Sequence, residues 1–236
     1  GTVLGHDQEF SLVQPTMKRL GRIAGSTLAG AGALFIAVQI NHPELTLEFV
    51  GSREFLIRES GKMLMAGLAV VGVLGLTAWH GRRIGAIGVV AAVIFGTGYL
   101  AMLIVQAIAA FVLPAIVATS PDYVRDVLTA ALGGRPASDI GGLQLLLSLS
   151  GVGYLAGGLL FGIALFRAGL VARWASALLA VATTSTVALA ALPTSFDRLF
   201  AIPAGIALVG IGWSAWRVAG APRVAPRAGV VTEVVR

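Results

Sequence analysis

Residues 84–118 read IGAIGVVAAVIFGTGYLAMLIVQAIAAFVLPAIVA, thirty-five positions without one charged side chain. As a single α-helix this run is roughly 52 Å long, against a bilayer hydrocarbon core of about 30 Å. It is therefore expected to cross a membrane and continue beyond it, or to bend near Pro114. The flanking sequence reads as further crossings packed around this one.

Composition supports that reading. With 57% hydrophobic and only 12% charged residues, and a mean hydropathy of +0.89, the chain has more apolar surface than a soluble core can hide, so lipid must cover it. Lys and Arg outnumber Asp and Glu by 17 to 11, but they are spread over short loops. A nucleic-acid partner needs a clustered basic face and is not expected. The absence of cysteine excludes disulfides, thiolate metal sites and cysteine nucleophiles. His6, His42 and His80 are too scattered for a metal cluster, so neither metal nor cofactor is expected.

Met17-Lys18-Arg19 opens the first basic, apolar segment as a natural start does, so residues 1–16 are expected to be a flexible leader, native or introduced. The leader lacks the apolar stretch and cleavage site of a secretory signal. The first crossing spans Arg22 to Ile40, with Gly21, Gly25, Ala29 and Ala33 offering a smooth strip to a neighbouring helix. Asn41-His42-Pro43 stops it. Ser52 caps a helix whose Glu54 and Arg58 form an i,i+4 pair and which leads into the second crossing, Met63 to Trp79. The third lies within the opening stretch, from Ile84 to Gln106.

Ser120-Pro121-Asp122 then supplies a cap, a first-turn proline and an acid suited to the positive end of a helix. Helical spacing of Tyr123, Val124, Val127, Leu128, Ala131 and Leu132 predicts a short amphipathic helix on the membrane surface. Crossing four, Leu143 to Phe166, contains the pairs Gly153/Gly157 and Gly158/Gly162. Crossing five ends near Leu192 and carries Thr183-Thr184-Ser185-Thr186, where hydroxyls bond back to the preceding turn or bend the helix. Crossing six covers Leu199 to Trp216. The expected organisation is thus a transmembrane domain over 17–218 and a flexible cytoplasmic tail over 219–236.

The fold class is therefore all-α: a polytopic bundle of about six transmembrane helices with a short extracytoplasmic amphipathic helix. Eleven basic residues fall on the side of both termini and six on the other, and the acids divide the opposite way, which predicts N-in, C-in topology. Trp79, Trp174, Trp213 and Trp216 all fall at the cytoplasmic boundary, where His80 with Arg82 and Arg83 reads as an interfacial anchor or a contact for anionic lipid headgroups.

No charged residue stands deep in a predicted crossing, which disfavours a proton-coupled pump. Gln39, Asn41, Gln106, Ser148 and Ser150 fall in the outer halves of three crossings, and Glu59 and Lys62 stand at the outer mouth of the second. Converging, they form a ligand-binding pocket open to the outside. Otherwise each polar group bonds a neighbouring helix or its own backbone. Glu59 and Asp197 are the only acids placed to serve as catalytic groups.

The pattern Arg19-Leu20-Gly21-Arg22-Ile23-Ala24-Gly25, with Gly158-Leu159-Leu160-Phe161-Gly162 through Arg167-Ala168-Gly169 to Arg173-Trp174-Ala175, resembles that of uncharacterised bacterial six-helix integral membrane proteins of the actinobacterial type. The resemblance implies a multi-pass protein of the bacterial inner (plasma) membrane and carries over no functional residues. The expected function is non-enzymatic: binding a small or lipidic molecule in an outward-facing cavity, or serving another membrane protein as an accessory. The alternative is an intramembrane enzyme acting on an isoprenoid or lipid substrate by acid–base chemistry. Expected partners are the bilayer, a lipid or small apolar ligand, and a membrane protein.

Overall fold

The computed structural model describes residues 4–189 and 201–221, with the side-chain surroundings of 16–185 and 202–221. Every regular element among them is helical: α1 (Leu4–Ala37), α2 (Leu47–Val50), α3 (Arg53–Phe111), α4 (Leu113–Ile116), α5 (Pro121–Ala131), α6 (Gly142–Ala168), α7 (Arg173–Leu189) and α8 (Ala201–Gly220). Four helical stretches are long and apolar enough to cross a membrane: Thr16–Ala37, Arg53–Ile116, Gly142–Ala168 and Ile202–Gly220. α1 begins at Leu4, so helix runs through most of the stretch expected as a flexible leader. Thr183-Thr184-Ser185-Thr186 lies on α7, and the hydroxyls of Thr183, Thr184 and Ser185 donate to carbonyls three or four residues back.

α3 is not one rod. Its backbone leaves helical geometry at His80 and again at Gly85, whose φ of 69° and ψ of 177° suit only a residue without Cβ. The chain reverses there: Gly67 lies beside Leu103, Gly96 beside Leu74, and Gly81 beside Val89. Residues 53–79 and 86–111 are thus two antiparallel limbs. A further break at Val112 separates α3 from α4, in which Pro114 occupies the first turn.

Each long helix or limb packs antiparallel to the next, closing a ring. The first α3 limb meets α1 at Gly72/Leu28 and Gly75/Ala24, while the second meets α6 at Gly98/Gly153 and Phe95/Gly157. α6 meets α7 at Gly158/Thr183 and Gly162/Ala180, α7 meets α8 at Trp174/Gly210, and α8 returns to α1 at Gly212/Gly25 and Gly205/Gly32. The two glycine pairs of α6 therefore serve different neighbours. Among apolar helices such close approach gains mainly dispersion contact, since lipid is as apolar as the side chains it replaces.

The strip on α1 departs from its expected register. Gly21, Gly25, Ala29 and Gly32 face neighbouring helices, while Ala33 is exposed. A repeat of four drifts off a helix of 3.6 residues per turn, so the fourth contact falls one residue early.

Phe95, Tyr99, Tyr154 and Phe161 form an aromatic core between α3 and α6, with Phe35 of α1 edge-on to Tyr154. At one end of the ring, which holds the His80–Gly85 turn, stand Trp79, Trp174, Trp213 and Trp216. There Trp213 stacks on Trp216, and the Arg22 guanidinium lies 5.6 Å from the centre of the Trp216 ring. The opposite end is closed by a second apolar cluster that includes Phe49, Val50, Phe55, Leu113, Val124, Ile140 and Leu143. α5 thus turns its apolar face onto α2–α4 and α6 and covers this mouth of the bundle. Protein neighbours at this mouth supply the cover that lipid would otherwise give.

Candidate functional site

Between the α5 cluster and the aromatic core lies a cavity of about 310 Å³. Both α3 limbs, α4, α5 and α6 contribute to its lining. Most of the wall is apolar, with Phe55, Met102, Leu113, Leu128 and Leu147 among its residues, and the polar lining side chains are Glu59, Lys62, Gln106 and Ser150.

Helical periodicity puts Phe55, Glu59 and Lys62 on one face of the first α3 limb. Ser52 starts that limb: its Oγ accepts from the Phe55 N–H at 3.1 Å. Arg58 anchors it to the end of α1. Its guanidinium pairs with Glu54 at 2.7 Å and donates to the carbonyls of Val38, Ile40 and Asn41, filling acceptors that a helix C-terminus leaves open. The expected Glu54 and Arg58 pair is therefore present and also ties two helices together.

Glu59 is only 3% exposed and receives the Lys62 ammonium at 2.6 Å. Lys62 Nζ also lies 3.1 Å from His42 Nε2, and His42 Nδ1 lies 2.8 Å from the Pro43 carbonyl oxygen. A neutral ring carrying its proton on Nδ1 satisfies both contacts, donating to Pro43 and accepting from Lys62. A buried charge pair gains from such additional hydrogen bonding. The cluster has no net charge, and one of the three ammonium protons is left over for a further acceptor.

The remaining expected site residues lie elsewhere. Ser148 is exposed and its hydroxyl donates to the Gln144 carbonyl, a bond within its own helix. Asn41 adopts a left-handed conformation at the end of α1, with φ of 47°, and is exposed; its carbonyl is held by Arg58. Gln39 is partly buried on the turn after α1 and does not line the cavity. Rotation of α6 about its axis turns Ser148 away from Ser150 and the cavity, while Gln39 and Asn41 lie on the turn beyond the last residue of α1. Asp197 lies outside the described residues. His42 joins the cluster although it is not among the expected site residues; the sequence signal for it is its place in the stop signal that precedes the Glu59 segment.

Asp126 ties α5 to the loop that follows it. Its carboxylate accepts from the backbone N–H groups of Ala137 and Ser138, both at 2.9 Å. The Ala137 hydrogen bond is the foremost cause holding this carboxyl below its ordinary range, helped by Ser138 and Arg125 and opposed by burial. At the other end of the ring His80 lies against Trp79, the ring centres 3.9 Å apart and the planes tilted by 34°. Burial, then the positive charge of Arg83, lowers its pKa below the ordinary 6.5.

Among the described residues no group of three His, Asp or Glu side chains is arranged to hold a metal ion. Compared with protein-family models, curated proteins and solved structures, the chain matches none.

Proposed function

We propose that this is a six-crossing protein of the bacterial inner membrane, with both termini in the cytoplasm, that binds a small amphiphile in the cavity beneath α5. The antiparallel ring of apolar limbs supports six crossings. The gathering of arginines and tryptophans at the His80–Gly85 end supports the orientation.

The observation that carries the binding reading is a largely apolar cavity with the Glu59 and Lys62 pair on its wall, Lys62 being in turn bonded to His42. Its volume stands near the lower bound of small-molecule sites, about 300 Å³. That favours one short chain over a two-tailed lipid. The spare Lys62 proton, the Gln106 amide and the Ser150 hydroxyl suit an uncharged head rich in hydroxyl or carbonyl groups. A charged head would add net charge to a neutral, poorly solvated cluster.

The test is thermal stabilisation of the protein in nanodiscs by monocaprin, decanoate and decylamine. Monocaprin should stabilise most, and Gln106→Leu or the cavity-filling Ala109→Phe should remove the effect. Equal stabilisation of wild type and both variants would place the ligand elsewhere. The acid–base enzyme reading retains only Glu59 among the described residues, and the same preparation, incubated with a lipid ester, tests for turnover.

A further inference from the structure

The end of the ring remote from this cavity carries a second concavity. It is an open groove of about 530 Å³ between the start of the second α3 limb and the last turns of α6. Where these helices meet, a Cβ on Gly88 would stand 3.2 Å from that of Ala164. Exposed Ile87, Leu160 and Ile163 line the groove, and Arg83 and Arg167 stand at its rim. Gly85 leaves space beside them, with no heavy atom within 4 Å of where a Cβ would be.

Neither arginine forms a salt bridge among the described residues. The described acidic side chains, Glu44, Glu48, Glu54, Glu59, Asp122, Asp126 and Asp139, belong to segments at the α5 end. None of these seven side chains therefore answers the two charges. Their order along the helices matters as well. Ile87 lies in the first turn of the second limb, just past the Gly85 break that separates it from Arg83, and Ile163 and Leu160 lie one and about two turns inward from Arg167. The groove is thus cationic at the boundary of the apolar belt and apolar within it.

A second copy of the chain docking symmetrically here would bring four arginines together without an acid. Free phosphate would leave the apolar walls unused. We propose that the groove binds an anionic phospholipid, with Arg83 and Arg167 on its phosphate and one acyl chain along Ile87, Leu160 and Ile163. Guanidinium groups suit this role because their paired N–H donors match phosphate oxygens. The site rests on the membrane-spanning reading and is independent of the cavity beneath α5.

Native mass spectrometry of the delipidated, full-length protein, titrated with dioleoylphosphatidylglycerol and dioleoylphosphatidylcholine, tests it. The anionic lipid should bind more tightly by about thirtyfold, the combined contribution of two interfacial arginines. R83Q/R167Q should lose that preference, and Ile163→Trp should weaken the lipid by filling the groove while both charges remain. R19Q/R217Q, which alters the same end outside the groove, should retain it. Glycerol 3-phosphate should not displace the bound lipid. Equal binding of the two lipids, an unchanged preference in R83Q/R167Q, equal loss in R19Q/R217Q, or displacement by glycerol 3-phosphate would each overturn the site.

Discussion

A Cβ built on Gly153 would stand 2.5 Å from the Cα of Gly98, so these two glycines bring the backbones of α6 and the second α3 limb into direct contact. Gly98→Ala and Gly153→Ala should each destabilise the protein by about 1–3 kcal/mol through overpacking. Gly151, on the same helix, has open space where its Cβ would be. Gly151→Ala should therefore be neutral, or gain up to about 1 kcal/mol from helix propensity. Thermal melting in one detergent compares all three, and a Gly98→Ala protein that melts with the wild type would refute the contact.

The Glu59 and Lys62 pair should behave as a unit. Removing one partner leaves the other charge uncompensated in a poorly solvated site, at a cost of about 3–5 kcal/mol. Glu59→Gln and Lys62→Met should each show such a loss, whereas the double variant should lie closer to the wild type than the two losses combined. A double-mutant cycle by denaturant unfolding measures the coupling, and additive losses would deny it.

Asp126 should give α5 a dependence on acid. A carboxyl held below its ordinary 3.8 stabilises the folded state fully above that value, and the contribution is lost as pH falls through the lower, folded-state value. Protection of the Ala137 and Ser138 amides against hydrogen exchange, corrected for the intrinsic rate, should therefore hold at mildly acidic pH and fail below 3.8. Asp126→Asn, with one acceptor oxygen in place of two, should weaken protection already at neutral pH. Unchanged exchange in that variant would remove Asp126 from the role of clamp.

Orientation can be read in intact cells. Cysteines introduced at Ser52 and Ser138, at the α5 end, should react with an impermeant maleimide, and one at Gly81 should not. Labelling at Gly81 alone would invert the topology and move the anionic-lipid groove to the outer leaflet.

Much of this architecture is written locally in the chain. Charge-free runs bounded by arginine and tryptophan determine where the long helices lie. Pro121 and Asp122 open α5, although Ser120 makes no side-chain capping hydrogen bond there; Ser52 caps α3 and Glu54 pairs with Arg58 one turn on, because capping and i,i+4 contacts depend on near neighbours alone. Partnering across helices was decided by the tertiary structure. It sends Gly153 and Gly157 to α3 but Gly158 and Gly162 to α7, brings His42 to Lys62, and gathers Glu59, Gln106 and Ser150 around one cavity while leaving Gln39, Asn41 and Ser148 outside it. For residues on helices the physical reason is rotational: sequence gives the depth of a residue along its helix, whereas packing of small against large side chains sets the rotation of that helix about its own axis; for Gln39, Asn41 and His42, beyond the end of α1, it is the path of the connecting segment that decides what each side chain meets.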